Sequence, residues 1–163
     1  MNTFVRVLLA VATGGALLWL GFVWSFRTKN PVVQGAIRRI NRGFTNPKQL
    51  RSAGQPGSYA SVVHHVGRRS GTDYRTPVVV QPAGDDLLVA LPYGPGADWV
   101  QNVLSAGSAT VEHEGHTIRT TGATLVPVEV ANPHFPAKEQ RMHRVYGVRD
   151  FLRLRRAEGV IAP

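Results

Sequence analysis

The chain has 163 residues, of which 43% are hydrophobic and 18% charged, so its composition supports one compact domain with an additional element rather than a disordered segment. The formal net charge is +9, which favours anionic partners: nucleic acid, an acidic membrane surface or a polyanionic cofactor. The chain has no cysteine, which excludes disulfides, iron–sulfur clusters and thiolate metal sites.

The run Val7–Phe26 contains no charged side chain. A helix of this length would span roughly 30 Å, the thickness of a bilayer's hydrocarbon core, and Trp19 and Trp24 would lie in an interfacial aromatic belt. The sequence therefore predicts a retained membrane anchor in residues 1–26. A cleaved signal peptide with Ala10-Val11-Ala12 at its processing site is the alternative, but the apolar stretch before that site is short.

A basic segment, residues 27–57, follows the predicted anchor. Its arginines and lysines outnumber the cations before the span, so the positive-inside rule puts the folded domain on the cytoplasmic side of the cell membrane in a single-pass topology. Val33, Ile37, Ile40 and Phe44 recur at helical spacing. This helix could lie on an anionic membrane or pack on the folded domain with its arginines in water, and both interpretations stay open. Turn and linker residues then lead to Ser58.

We expect the domain 58–163 to begin with a strand pair, in which β-branched runs flank a polar loop. A third strand and a glycine- and proline-rich loop follow, and the loop leads into a helix that ends at Gly107. These elements are Val62–Val66, Val78–Val80, Leu87–Leu91 and the helix Trp99–Ala106.

The second half of the domain predicts a hairpin around Glu114-Gly115, a further strand and a basic carboxy-terminal helix. The predicted bounds are Ala109–His113, His116–Thr121, Ala123–Val130 and Ala137–Arg156. Many short strands in hairpin register with few helices indicate a small antiparallel barrel, that is, a mainly β (α+β) fold.

Two loops have the chemistry of anion sites. In the first, Gly67–Gly71, glycines allow close approach of backbone N–H groups, arginines pair with phosphate or carboxylate oxygens, and Ser70 adds a donor. A solvated basic hairpin loop is the alternative. The second, Pro92–Asp98, leads into a helix N-terminus, where free N–H groups favour anions. Its spacing fits neither a dinucleotide-binding nor a P-loop motif.

Other chemistries are poorly supported by the sequence. His64 and His65 are neighbours on a predicted strand and so point to opposite faces, and no acidic residue stands at a ligand spacing beside them, so we expect no metal site. A Ser–His–Asp hydrolase would need a nucleophile elbow that is absent. The sequence matches no RRM, KH or helix-turn-helix pattern, so nucleic acid is not the expected partner.

The combined pattern of these loops resembles the deazaflavin-dependent nitroreductase family of actinobacteria. The matching motifs are H-x-G-R-R-S-G-x-x-Y-R-T-P-V, from His65 to Val78, and Y-G-x-x-x-D-W-V-x-N-V-x-x-A-G, from Tyr93 to Gly107. The similarity covers about residues 41–136. It implies an FMN-binding-like split β-barrel and a redox enzyme that uses reduced coenzyme F420, whose phosphodiester and polyglutamate tail need a basic site.

The resemblance also implies which residues contact the cofactor. The phosphate and tail would meet the first loop, the deazaflavin ring would lie along the strand after it, and the second loop and its helix would surround both. These residues are Arg68, Arg69, Ser70, Thr76, Pro77, Val78, Tyr93, Gly94, Ala97, Asp98, Trp99 and Asn102. Tyr93 stands where the family's nitroreductase has a lysine, and Val79 where it has a tyrosine, which affects the expected substrate more than the cofactor.

The implied reaction is hydride transfer to a quinone, a nitro compound or an activated alkene, and a membrane anchor makes a lipid-soluble acceptor such as menaquinone attractive. Tyr146 is a candidate to line the substrate pocket and act in catalysis, or else a tyrosine that packs its helix. A split barrel of this kind could hold FMN or a tetrapyrrole instead, or bind a cofactor without turnover.

Overall fold

The computed structural model describes residues 13–17, 19–24, 27–28 and 49–157. The predicted membrane anchor falls partly within these ranges, where residues 13–17 and 19–24 are helical. Among the described residues no helix is both long and apolar enough to cross a bilayer. The amphipathic helix predicted around Val33–Phe44 lies outside the described residues.

Seven antiparallel strands form one sheet in the order β2-β1-β5-β6-β7-β4-β3. Their bounds are β1 Ser61–Val66, β2 Asp73–Val78, β3 Val80–Ala83, β4 Asp86–Ala90, β5 Ala109–His113, β6 His116–Pro127 and β7 Asp150–Arg156. The hairpin β5–β6 has the predicted bounds at its turn, with His113 opposite His116. The turn fits the sequence because Glu114 and Gly115 both have positive φ.

The sheet curls so that its two edges approach each other. Strands β2 and β3 are the outermost strands of the sheet, yet only Val79 separates them along the chain. Because consecutive Cα atoms are about 3.8 Å apart, the two edges must come together at this residue. The structure is therefore an antiparallel α+β half-barrel, which confirms the coarse fold prediction.

The predicted carboxy-terminal helix is wrong beyond Tyr146. The helix ends where Gly147 adopts a left-handed conformation, and the chain then enters β7. Strand β7 pairs with β4 on one side and β6 on the other, so its backbone groups are satisfied by two ladders. Burial of Phe151, Leu152 and Leu154 in the middle of the sheet outweighs the helical spacing of the apolar residues.

Two other strand predictions also change. The polar segment Asp73–Pro77 belongs to β2 rather than to a loop, and the predicted strand Val78–Val80 is divided, since Val78 ends β2 and Val80 begins β3. Pro77 is tolerated because β2 is an edge strand. The strand predicted at Ala123–Val130 is the second half of β6 as far as Pro127, after an irregularity between Thr121 and Thr124, and is wrong beyond it, because a short helix begins at Val128.

Within the described residues 49–157, three helices pack against the sheet: α1 Asp98–Ala106, α2 Val128–Ala131 and α3 Ala137–Tyr146, with a 3-10 turn at Asn132–His134 before α3. Helix α1 confirms the predicted helix, and left-handed Gly107 ends it. It buries Val100 and Val103 in the larger core cluster, together with Leu87, Leu152 and Leu154. A second cluster contains Leu88, Phe135 and Phe151, so β4 and β7 are buried on both faces.

Residues 49–57, predicted as part of a linker, contact the β5–β6 turn. The Gly115 N–H donates to the Gly54 carbonyl oxygen at 2.6 Å, and the Gly57 N–H donates to Glu114 Oε2 at 2.8 Å. A Cβ at Gly54 would lie 2.8 Å from the Glu112 Cβ, so only glycine allows this approach. These contacts hold the segment before β1 against the sheet.

Candidate cofactor site

The main cavity has a volume of about 810 Å³ and lies between the β1–β2 loop, β2, the β4–α1 loop and α1. This volume is within the range of small-molecule and cofactor sites. All twelve residues expected to contact a cofactor line it, as does Tyr146, although their contacts with a ligand stay a prediction. The twelve are Arg68, Arg69, Ser70, Thr76, Pro77, Val78, Tyr93, Gly94, Ala97, Asp98, Trp99 and Asn102.

The loop Gly67–Gly71 is closed by its own backbone. The Gly67 N–H donates to the Thr72 carbonyl at 2.8 Å, and the Gly71 N–H donates to the Gly67 carbonyl at 2.8 Å. Gly71 has φ of +64°, which favours glycine, and a Cβ at Gly67 would overlap the Ser70 hydroxyl and the Tyr74 ring. The two glycines therefore permit a tight turn in which Ser70 also accepts from the Thr72 N–H.

Arg68 joins this loop to the N-terminal half of α1. Its backbone N–H and its Nη1 both donate to Asn102 Oδ1, at 3.2 and 2.8 Å. Its guanidinium also donates to the Asp98 carbonyl oxygen and pairs with the Asp98 carboxylate at 3.4 Å. The two loops that the sequence singled out as anion sites thus adjoin each other, and Arg68 holds them together.

Arg69 has a different environment from Arg68. Its side chain is exposed on the cavity wall and makes no hydrogen bond or ion pair within the part of the chain that the structure describes. The backbone N–H groups of Arg69 and Ser70 have no acceptor in that part either. A free guanidinium, two free N–H groups and a hydroxyl in one turn are the donors that a phosphate or carboxylate needs. The residues present therefore fit an anionic cofactor group.

His65 is a site residue that the sequence analysis did not assign. It is 8% exposed and lines the cavity, while His64 on the opposite face bonds Glu112, as strand alternation predicts. His65 Nδ1 lies 3.2 Å from Asn102 Nδ2, and His65 Nε2 lies 3.0 Å from Thr76 Oγ1. Burial, with a smaller contribution from His64, lowers the pKa of His65. We refer to Gly67–Ser70, His65, Thr76, Asp98 and Asn102 as the loop end of the cavity.

The other part of the cavity, which we call the aromatic end, is formed by Phe22, Phe135, Met142, His143 and Tyr146. The Tyr146 ring meets Phe22 edge-on with centroids 6.4 Å apart, and His143 packs against Phe135 at 4.8 Å. His143 Nδ1 donates to Asn132 Oδ1 at 2.7 Å, and burial lowers the pKa of His143. This end presents mainly ring faces and a thioether, which suit a planar apolar molecule.

Phe22 and His143 were also not assigned from the sequence. Phe22 is separated from Tyr146 by more than a hundred residues of chain, and His143 is one of several polar residues on helix α3. Both depend on tertiary contacts with no local signature. The one available signal for His65 was its place as the first residue of the matched loop motif.

No family model matches the chain, and no curated protein matches it. Solved structures with related folds include one named F420 reductase, with 12% identity and a TM-score of 0.44, covering 66% of this chain and 91% of that one. A second, named F420-H2 dependent reductase, has 11% identity and a TM-score of 0.39 and covers 59% and 93% of the two chains.

A third similar structure is a Clostridium acetobutylicum protein related to general stress protein 26, of the pyridoxinephosphate oxidase family. Its identity is 6% and its TM-score 0.47, with 68% of this chain and 80% of that chain covered. All three TM-scores are below 0.5, so the function of this chain has to be argued from its own cavity.

Proposed function

We propose that the chain is an oxidoreductase that binds a deazaflavin of the coenzyme F420 type in the main cavity and reduces a quinone, a nitro compound or an activated alkene. The observation that carries this proposal is that twelve residues from four separate elements, all implied by the family resemblance to contact a cofactor, line one cavity of about 810 Å³. Sequence motifs that converge in space in this way are typical of a binding site.

The polarity of the cavity supports a ligand with an anionic tail and a planar ring. At the loop end, Arg69 and the free N–H groups of Arg69 and Ser70 would hold phosphate and carboxylate oxygens. Thr76, Pro77 and Val78 on β2 would lie along the ring. When bound, the cofactor would supply the hydride; the chain's part is to orient it and to exclude water.

The aromatic end would hold the hydride acceptor. Phe22 and Met142 offer apolar surface to a planar acceptor, and the Tyr146 hydroxyl can hold a proton beside it. The half-barrel would keep both molecules on one side of β2. Tyr146 is thus the proposed catalytic side chain.

The decisive experiment is a fluorescence titration of the purified chain with oxidised coenzyme F420 and, separately, with FMN. We expect F420 to bind at least tenfold more tightly, because only F420 carries the polyglutamate tail. Arg69→Ala should weaken F420 binding by about tenfold, since a charge-assisted contact is lost. The matched control is Arg119→Ala, an exposed arginine on β6 outside the cavity, which should bind as the wild type does.

Each other result would identify a different function. Tight FMN binding with weak F420 binding would favour an FMN enzyme, and Arg69→Ala would then remove one phosphate contact. Binding of F420 without oxidation of its reduced form by menaquinone, nitroaromatic or alkene acceptors would favour a cofactor-binding module. A failure of both cofactors to bind would contradict the proposal.

We further propose that the N-terminal segment attaches the chain to the cytoplasmic face of an anionic membrane, from which a lipid-soluble acceptor such as menaquinone would reach the aromatic end. The support is that Leu17, Trp19 and Trp24 are each more than half exposed, while Phe22, which shares the helical segment 19–24 with the two tryptophans, contacts Tyr146. Leu17→Lys combined with Leu20→Lys should release the chain from membranes at alkaline pH. Release of the wild-type chain under the same conditions would contradict attachment.

A further inference from the structure

The hydrogen bonds at the loop end leave only one orientation for the Asn102 side chain. Both the Arg68 N–H and Arg68 Nη1 are donors without acceptor capacity, and both contact the same side-chain atom of Asn102. That atom must be the amide oxygen. The amide nitrogen therefore points toward His65 Nδ1, 3.2 Å away.

This orientation fixes the tautomer of His65. The Asn102 NH₂ group can only donate, so His65 Nδ1 must accept and carry no hydrogen. The hydrogen of the neutral ring is then on Nε2, from which it is donated to Thr76 Oγ1 at 3.0 Å. The lowered pKa of His65 agrees with a neutral ring.

The Thr76 hydroxyl is left with a single free role. Its oxygen accepts from His65, and within the described residues the hydroxyl has no other hydrogen-bond partner. Its own hydrogen is therefore available, and Thr76 lines the cavity beside Pro77 and Val78. Arg68 donates to Asn102, Asn102 donates to His65, and His65 donates to Thr76. A chain of donors and acceptors aligned in this way, which begins at a charged guanidinium, strengthens each of its hydrogen bonds.

We propose that the Thr76 hydroxyl donates to an acceptor atom on the ring edge of the bound ligand, and that His65 is the positioning residue that keeps it a donor. This inference rests on the proposed function, since it concerns the ring of the cofactor held there. The ring must then present a carbonyl oxygen or an unprotonated ring nitrogen at Thr76, and a ring with an N–H at that point is disfavoured. Arg68 connects this selection to the loop that holds the anionic tail.

The test is a double-mutant cycle on F420 affinity with Thr76→Val, Thr76→Ser and His65→Phe. Thr76→Val keeps the shape of the side chain without the donor and should raise Kd by about fivefold to tenfold, whereas Thr76→Ser should stay within about twofold of the wild type. His65→Phe keeps the aromatic ring stacked on Tyr74 but frees the hydroxyl to rotate. In that background, Thr76→Val should change Kd by less than about twofold.

Thr117→Val serves as the control, because Thr117 is an exposed β6 threonine whose side chain makes no hydrogen bond in the described structure. It should leave Kd unchanged. If the wild type binds F420 and Thr76→Val binds equally well, or if the two substitutions are additive, the role of Thr76 and His65 is overturned while the proposed function stands. If the wild type binds neither F420 nor FMN, the proposed function fails and this inference fails with it.

The tautomer of His65 provides a second test, because a histidine with a merely structural role could carry its hydrogen on either ring nitrogen. Nitrogen-15 spectra of the free chain above pH 7 should show His65 protonated on Nε2 alone. The Nδ1–H tautomer would overturn the donor assignment for Thr76 irrespective of affinity. Asn102→Asp should change this spectrum, because the carboxylate accepts and would attract a proton to Nδ1.

Discussion

The loop end and the aromatic end of the cavity are built by different kinds of contact. At the loop end, Arg68, Asn102 and His65 are connected by directional hydrogen bonds that leave few orientations for each side chain. At the aromatic end, Phe135 meets His143 and Phe22 meets Tyr146 through ring contacts, at centroid distances of 4.8 and 6.4 Å. Directional bonds select one ligand geometry, whereas ring packing tolerates several. We therefore expect the loop end to select its ligand more narrowly than the aromatic end does.

The largest effect is expected at Asn102, which is 6% exposed and connects the loop to His65. Asn102→Leu removes the acceptor of the Arg68 backbone N–H, one acceptor of Arg68 Nη1 and the partner of His65 Nδ1, so the free energy of unfolding should fall by about 3 kcal/mol. The Kd for F420 should rise on the order of 100-fold. Chemical denaturation and fluorescence titration measure the two effects.

Asn102→Asp separates the two halves of this network, because it keeps the acceptor for Arg68 and loses the donor to His65. Its free energy of unfolding and its Kd for F420 should lie between the values of the wild type and of Asn102→Leu. Ser105→Ala, at an exposed position on the same helix, should change neither quantity. Equal affinity of Asn102→Leu and the wild type would show that the network does not define the loop end.

A smaller effect is expected from Gly67→Ala. The new Cβ would overlap Ser70 and Tyr74, so the loop must shift and its free N–H groups would move. The unfolding free energy should fall by about 1–2 kcal/mol and Kd should rise about tenfold. Gly84→Ala is the control, since its φ of +62° adds backbone strain at the β3–β4 turn, outside the cavity. It should lower stability while Kd stays unchanged.

At the aromatic end we expect Tyr146→Phe to affect turnover rather than cofactor affinity. The ring contact with Phe22 is kept and the hydroxyl is lost, so Kd for F420 should stay within about twofold, while kcat falls about tenfold as solvent replaces the tyrosine as proton donor. Steady-state oxidation of the reduced cofactor measures this. A large change in the Kd for F420 with constant kcat would mean that Tyr146 contacts the cofactor. The proposed division of the cavity into a cofactor end and an acceptor end would then be wrong.

The smallest effect concerns pH. Burial lowers the pKa values of His65 at the loop end and His143 at the aromatic end, so the unfolded chain binds protons more readily than the folded one. Above the unfolded-state histidine pKa of about 6.5 both rings are neutral in either state, so their burial does not lower the free energy of unfolding. As pH falls from about 6.5 toward the folded-state pKa values, the free energy of unfolding should decrease. Each histidine contributes a slope of at most about 1.4 kcal/mol per pH unit.

His143→Phe removes one of these groups and retains the packing on Phe135 and Phe151. Thermal or denaturant unfolding between pH 7 and pH 5 should show a shallower slope for this variant. Thr117→Val, an exposed substitution on β6 that changes no ionisable group, provides the control and should leave the slope unchanged. An unchanged slope for His143→Phe would mean that His143 titrates alike in both states.

Local sequence signals predicted the elements that are defined locally. The β5–β6 hairpin follows from Glu114-Gly115 between alternating residues, and α1 follows from apolar spacing ended by Gly107. Strand β7 was missed because it is buried on both faces and so lacks a clean two-residue alternation, while its apolar residues also fit a helix.

The sequence predicted those residues of the candidate site that lie within the two matched motifs. The motifs named the twelve residues, and the structure brings all of them to one cavity, where their contacts with a cofactor remain to be tested. The tautomer of His65 depends on Asn102, thirty-seven positions away, and the Phe22–Tyr146 contact joins residues more than a hundred positions apart. Both contacts depend on tertiary packing, which no local pattern encodes.

The place of β7 in the sheet has a consequence for biosynthesis. It is the last of the seven strands to leave the ribosome, yet it is the strand whose backbone hydrogen bonds join the β3–β4 hairpin to the four strands β2, β1, β5 and β6. Until β7 emerges, each group presents an unpaired edge, and the strand that carries Leu87 and Val89 is paired on its β3 side alone. The nascent domain is therefore most prone to aggregation just before translation of β7 is complete, and its unpaired strand edges would be accessible to chaperones until then.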